Sequence, residues 1–171
     1  MHLREDRRHI QDDDVVRLSE SVRTVLNLEL ASSPAIVALA CRLRPVQATI
    51  VPERREEVTT EGGLALGRPG SALESTIRAL AEGGIRVSLF IDPTPQAIHA
   101  AHALGVPAVE LHTGDYAHTW RQDHRALDAL RHAAQLGRAA GLAVHAGHGL
   151  TYDNVAPVAA IREIEELNIG H

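Results

Sequence analysis

Lysine is absent from this chain; all 17 of its basic residues are arginine. A mechanism that forms a Schiff base on a protein lysine is therefore excluded. Cysteine occurs once, as Cys41, which rules out a disulfide framework and suits a reducing compartment. Aromatic residues make up 2% of the sequence, too few for base-stacking platforms, and a net charge of -5 opposes a general nucleic-acid surface. No apolar run is long enough to span a bilayer. The charged opening, His2-Leu-Arg-Glu-Asp-Arg-Arg8, lacks the apolar segment of a secretory signal. Neither nucleic acid nor membrane is an expected partner. No Gly-x-Gly-x-x-Gly fingerprint follows an early strand, which argues against a dinucleotide-binding sheet. No solenoid-type repeat is present either.

What is present is alternation. The 171 residues, 44% of them hydrophobic, suffice for one domain with a real core, taken as residues 1–171. Strand-like runs are expected at 2–4, 26–30, 48–51, 85–91, 108–112, 142–144 and from 167 onward. Helical patterns separate them. Asp12, Asp13 and Asp14 begin one whose apolar face is Val15, Leu18, Val22 and Val25. Ser33 and Pro34 open the next, to about Leu43. Ser71 begins a third, with Ile77, Leu80 and Ala81 inward, stopped at Gly83 and Gly84. Thr94 and Pro95 open a fourth, closing at Gly105; a fifth runs from Asp123 to Gly141. A sixth follows Asn154 and carries Val158, Ile161 and Ile164. Residues 53–70 form the longest irregular stretch, and another loop holds Tyr116 and Trp120. Short buried strands separated by helices argue a parallel sheet.

The ends of the strand runs carry the chemistry. They fall at His2 and Arg4, Glu29, Glu53, Asp92, Glu110 and His112, His145 and His148, and Gly170 with His171. Ionisable groups gathered at the carboxyl ends of parallel strands describe the active face of a βα-barrel. Gly147-His-Gly149 and Gly170-His171 offer backbone N–H groups to an anion where barrel enzymes often hold a phosphate. Such a barrel has eight units and typically about 250 residues. The expected fold is thus an α/β (β/α)8 TIM barrel, incomplete, with the first βα unit and the last helix missing.

Seven ordered blocks resemble one family, pyridoxine 5'-phosphate synthase of the PdxJ type. They are His2-Leu-Arg-Glu-Asp-Arg-Arg-His-Ile10, Asn27-Leu-Glu29, Val51-Pro-Glu-Arg-Arg-Glu-Glu-Val-Thr-Thr-Glu-Gly-Gly63, Val87-Ser-Leu-Phe-Ile-Asp92, Glu110-Leu-His-Thr-Gly114, Ala146-Gly-His-Gly-Leu-Thr-Tyr152 and Glu166-Leu-Asn-Ile-Gly-His171. The resemblance covers essentially the whole chain. It implies a cytoplasmic homo-octamer that condenses 3-amino-2-oxopropyl phosphate with 1-deoxy-D-xylulose 5-phosphate. The products are pyridoxine 5'-phosphate, inorganic phosphate and water, and neither metal nor organic cofactor is required. It further implies that His2 and Glu29 accept protons, His148 donates one and Glu110 stabilises a transition state. Arg4, His9 and Thr59 would bind the deoxyxylulose phosphate; Gly149, Gly170 and His171 would bind the aminoketone phosphate. The family's first strand carries Asn-x-Asp-His, with an arginine soon after, and this sequence has neither. Two open sheet edges invite aggregation, so the chain alone is expected to be unstable, inactive or both.

Other readings of the same residues are plainer. The three aspartates at 12–14 read as helix-start chemistry, and Cys41 as core. His112 and His145 read as supports for neighbours; His99, His102, His118, His124 and His132 read as surface. Two rival functions are a metal-dependent barrel hydrolase built on His112, His145, His148 and His171, and an inactive barrel remnant.

Overall fold

The computed structural model describes residues 1–67 and 72–170. Seven strands form one sheet: β1 (His2–Leu3), β2 (Asn27–Leu30), β3 (Gln47–Ile50), β4 (Arg86–Ile91), β5 (Ala108–His112), β6 (Ala143–Gly147) and β7 (Ile164–Asn168). Every neighbouring pair is parallel and spatial order follows chain order. The result is an α/β open half-barrel, an incomplete TIM-like barrel with β1 and β7 at its edges.

Helices α1 (Asp12–Ser21), α2 (Pro34–Leu43), α3 (Ala72–Glu82), α4 (Pro95–Ala103), α5 (Gly114–Thr119), α6 (Arg125–Ala139) and α7 (Val155–Ala159) return the chain between strands. Sequence explains most of their ends. The acidic first turn of α1 is closed by a capping box in which Gln11 N–H donates to Asp14 Oδ2 at 2.9 Å. Thr94 caps α4 by accepting from Ala97 N–H at 3.2 Å, with Pro95 at the first position. Gly84, at φ +76°, supplies the left-handed turn after α3.

The strand pleat separates two kinds of residue. Leu28, Leu30, Ile50, Leu89, Ile91, Val109, Leu111, Val144 and Ala146 are buried in the apolar core. They face the helical layer; a Cβ on Gly137 of α6 would lie 2.8 Å from Val144 Cγ2. The alternate residues face the barrel interior, and most of them are polar, Phe90 being an exception. Thr49 donates to Asn27 Oδ1 at 3.0 Å, and Gln47 Nε2 lies 3.4 Å from His145 Nδ1 across the barrel.

Four expectations change. Val22 caps α1 and Val25 is 59% exposed, so neither extends its apolar face. Residues 114–119, expected as loop, are helical, because Tyr116 is buried and donates from its hydroxyl to Asn154 O at 2.6 Å. The helix after Asn154 stops at Ala159, and Ile164 opens β7 instead. β6 runs on through His145 to Gly147, and β7 ends at Asn168, leaving Gly170 beyond it. Ser71, expected as a helix start, lies outside the described residues.

Candidate active site

Register brings the polar strand residues into layers. His2 pairs with Glu29, and Glu29 with Thr49. Phe90 pairs with Glu110, Glu110 with His145, and His145 with Glu166. His112 pairs with Gly147, and Gly147 with Asn168. Inward-facing positions on parallel strands thus converge without any sequence proximity.

On the β1 side, His2 Nδ1 lies 3.9 Å from Glu29 Oε2. Its other ring nitrogen lies 2.9 Å from Glu53 Oε1. Glu53 follows β3, its side chain is only 5% exposed, and its second oxygen accepts from Glu5 N–H at 2.8 Å. One buried carboxylate therefore fixes both the His2 ring and the start of the loop after β1. A carboxylate on one imidazole nitrogen selects the tautomer and leaves the other nitrogen for proton transfer.

Glu110 sits at the centre. It is 3% exposed, and Asn168 Nδ2 donates to its Oε2 at 2.6 Å. Burial, and then the negative charge of Glu29, push its carboxyl from 4.5 up to about 8; the Asn168 hydrogen bond and the Met1 ammonium oppose this, and Glu166 reinforces it. At neutral pH it is mainly a neutral acid, able to donate a hydrogen bond. Gly147 makes room for it: a Cβ there would overlap Glu110 Oε1 and stand 2.7 Å from Asn168 O.

Below Glu110, His145 is fully buried between Gln47 Nε2, at 3.4 Å from Nδ1, and Glu165 Oε1, at 3.8 Å from Nε2. Glu165 is the extra residue of the register irregularity between β6 and β7, and it also meets Arg138 and Arg86 at 3.4 and 3.8 Å. Burial lowers the proton affinity of His145. It is a structural centre of the barrel floor, the supporting part expected of it.

His148 stands at the opposite end of β6, exposed, with φ +88°. A histidine there is strained, and the surroundings hold it. The Thr113 hydroxyl donates to Gly147 O and His148 O, at 2.7 and 2.5 Å. The following Gly149 also has positive φ, and its carbonyl accepts from Asn154 Nδ2 at 3.2 Å. The His148 ring lies 4.8 Å from that of His112 and 6.3 Å from that of Phe90.

The long loop after β3 is anchored to this end of the barrel. Thr59 Oγ1 donates to Asp92 Oδ2 at 2.5 Å, and Gly63 N–H to Asp92 Oδ1 at 2.8 Å. Leu64 N–H extends the contact to Phe90 O at 2.9 Å. A cavity of about 430 Å³, lined in part by His112, Tyr116 and Arg125, adjoins the site beside His112 rather than over Glu110.

The structure therefore brings His2, Glu29 and Glu110 together within the barrel, with His148 and Thr59 at its rim. Arg4 instead donates to Asp6 Oδ1 at 3.3 Å, and His9 is exposed in the loop before α1. Gly170 is exposed past β7, and His171 lies outside the described residues. The metal quartet is not assembled, since His145 belongs to the floor and His148 to the rim; among the described residues no group of three or more His, Cys, Asp or Glu is placed to hold a metal ion. Two supporting residues have no role in the sequence reading, Asn168 on Glu110 and Thr113 under His148; Glu53, legible there as a strand end, is the acceptor beside His2. For Asn168 the only signal was its place two residues after Glu166 on the same strand face.

With this geometry in place, comparison with known proteins is decisive about kinship. The family model described as "Pyridoxal phosphate biosynthesis protein PdxJ" matches residues 1–171. The pyridoxine 5'-phosphate synthase of Trichlorobacter lovleyi is 51% identical over 174 residues, covering 100% of this chain and 72% of that protein. Its counterpart in Synechococcus sp. (strain CC9605) is 51% identical over 172 residues, covering 100% and 69%. That of Zymomonas mobilis is 49% identical over 171 residues, covering 99% and 67%. Among solved structures, the phosphodiesterase PaMucR in complex with c-di-GMP aligns with TM-score 0.53 at 14% identity, over 80% of this chain and 56% of that one. A glycerophosphodiester phosphodiesterase from Agrobacterium tumefaciens aligns with TM-score 0.50 at 14% identity, over 92% and 56%. These two likenesses concern the fold alone.

Proposed function

This chain belongs to the PdxJ family, the pyridoxine 5'-phosphate synthases of vitamin B6 biosynthesis, and from that premise we propose the reaction and the role of each residue. The site condenses 3-amino-2-oxopropyl phosphate with 1-deoxy-D-xylulose 5-phosphate, releasing pyridoxine 5'-phosphate, inorganic phosphate and water. Amine and ketone both reside on the substrates, so the imine forms between them, in keeping with a chain that has no lysine. What remains is proton traffic. His2 and Glu29 accept protons from the condensing chain, and His148 donates one to a departing oxygen. Glu110, as a neutral acid, donates a hydrogen bond to oxygen that gains negative charge in the transition state.

Two phosphates need two anion sites. Arg4, His9 and Thr59 take the deoxyxylulose phosphate; Gly149, Gly170 and His171 take the aminoketone phosphate. The working assembly is a homo-octamer in the cytoplasm. The observation that carries the reading is the placement of carboxyl groups in unlike environments: Glu29 half-buried beside His2, Glu110 buried and held up to about 8.

The test is pyridoxine 5'-phosphate formation from the two phosphorylated substrates. The 171 residues contain no Asn-x-Asp-His strand, so the folded chain is assayed alone and with a peptide carrying that strand. Product in the second assay, lost in Glu110→Gln and His148→Asn, is the expected result. Absence of product in both assays would overturn the proposal.

A further inference from the structure

We propose that His112 is a positioning residue that couples the proton donor His148 to the Thr59 loop through Asp92. The inference rests on the role given to His148 above. His148 needs such a residue. Its backbone is held by Thr113, but among the described residues its ring makes no hydrogen bond. Ring orientation is set by packing, and the nearer ring is His112, with centroids 4.8 Å apart at 54°. Phe90, the other neighbour, packs edge-on against His112 with centroids 5.0 Å apart. His112 is therefore the piece on which the other two rings rest.

The far side of His112 is fastened to the loop. Its Nδ1 lies 3.9 Å from Asp92 Oδ1. The same carboxylate accepts from Gly63 N–H at 2.8 Å and from the Thr59 hydroxyl at 2.5 Å, and Gly62 N–H in turn donates to Thr59 Oγ1 at 3.1 Å. Contact is steric as well. A Cβ on Gly62 would lie 2.7 Å from His112 Cε1, and one on Gly114 would lie 2.7 Å from Cε1 and from Nε2. The ring is clamped between two glycine backbones, one of them in the loop. Close-packed groups move together, so displacement of the loop displaces His112, and with it the ring of His148.

Charge assigns the division of labour. Burial, then the positive charge of His148, lower the proton affinity of His112; Asp92 and a hydrogen bond to the Glu61 backbone oppose this, and His118 adds to the lowering. A lowered proton affinity suits His112 to aligning its neighbour rather than taking part in proton transfer itself. A phosphate drawn to Thr59 and a proton delivered by His148 thereby become linked events, through packed groups rather than direct contact.

Histidine-labelled protein followed by NMR tests the coupling. Thr59→Val, which removes the hydroxyl donated to Asp92, is expected to shift the His148 ring resonances. In a His112→Asn background the same change is expected to leave them in place; asparagine keeps a nitrogen near Nδ1 but lacks the distal ring edge. Asp92→Asn, which retains an acceptor for Gly63, serves as a second probe and shifts His148 in the wild-type background only. Equal shifts in both backgrounds, or none in either, would overturn the proposal. In turnover, His112→Asn lowers kcat about ten- to a hundredfold with little change in KM for either substrate, as expected when alignment is lost. An effect confined to KM would make His112 a binding residue instead. Unimpaired turnover by His148→Asn would remove the proton-donor role while the resonance coupling still reported on His112.

Discussion

Asn168 donates to Glu110 over the strand that separates them, with Nδ2 2.6 Å from Oε2, and the passage exists because residue 147 is glycine. Gly147 is the register partner of Asn168, and a Cβ on it would occupy space already held by Glu110 Oε1. Gly147→Ala must therefore move Glu110, Asn168 or both. Overpacking of this kind costs about 1–3 kcal/mol. We expect a lower urea midpoint, and a crystal structure of the variant in which the bond is broken.

Glu110 also makes stability depend on pH. Its carboxyl titrates near 4.5 when unfolded and at about 8 when folded, so the folded protein holds the extra proton between those values. Its contribution is complete below the lower value and is lost as pH rises through the upper one. Urea midpoints measured from pH 4.5 to 8 should fall with rising pH in the wild type. In Glu110→Gln the fall should be shallower, by an amount on the order of a few kcal/mol at most over the range. Parallel profiles for the two proteins would refute the assignment.

The proton-donor role proposed for His148 is set against a cost in stability. Its φ of +88° is costly for a residue with a Cβ and free of that cost for glycine. His148→Gly releases strain of about 1–3 kcal/mol while giving back about 0.5–1 kcal/mol in chain entropy. The variant should melt no lower than the wild type, and up to several degrees higher, yet form no product. A clear loss of thermal stability would show that the ring, not the backbone, dominates at this position.

Glu53 holds the edge of the sheet. It is the shared acceptor for His2 and for Glu5 N–H, and β1 has two residues with which to hold itself otherwise. Glu53→Ala should raise hydrogen exchange at the Glu5 amide, and at the Glu29 amide that bonds Met1 O, by about tenfold or more, as expected when a charge-assisted hydrogen bond is lost. Amides of β4 to β6 should keep their protection. Uniform change across the sheet would mean that β1 is not a separate opening unit.

Local pattern made the layers of this fold legible, and the order of the strands followed from alternation. Residues 108–112 read as a strand and are one, because apolar and ionisable side chains alternate there. Where local preference and packing disagree, the reading fails. Gly114 and Thr119 are poor helix formers, yet α5 forms because Tyr116 reaches Asn154, 38 residues away. Val158, Ile161 and Ile164 have helical spacing, but the chain turns at Ile161 and pairs Ile164 with Val144. In the site, residues with a strong chemical identity at strand ends, such as Glu29, Glu110 and His148, could be picked out. Which residue supports which could not be read: Glu53 lies 51 residues from His2 and Asn168 58 from Glu110, so only the closing of the sheet brings them together.

The pleat gives every strand two independent occupations. Leu28, Leu30, Leu89, Val109 and Val144 hold the sheet to its helices, while Glu29, Phe90, Glu110 and His145 look the other way. Because the barrel wall is secured from outside, most of the sheet's apolar cohesion rests on the helical face, and the lumen contributes to it at fewer points, Gly147 and His145 among them. Away from those points, substitutions inside can retune acidity, shape and selectivity, and those outside can adjust durability with little chemical effect. A lineage or a designer could therefore alter one face of a strand at a time, provided the few lumen positions that also hold the structure are left in place.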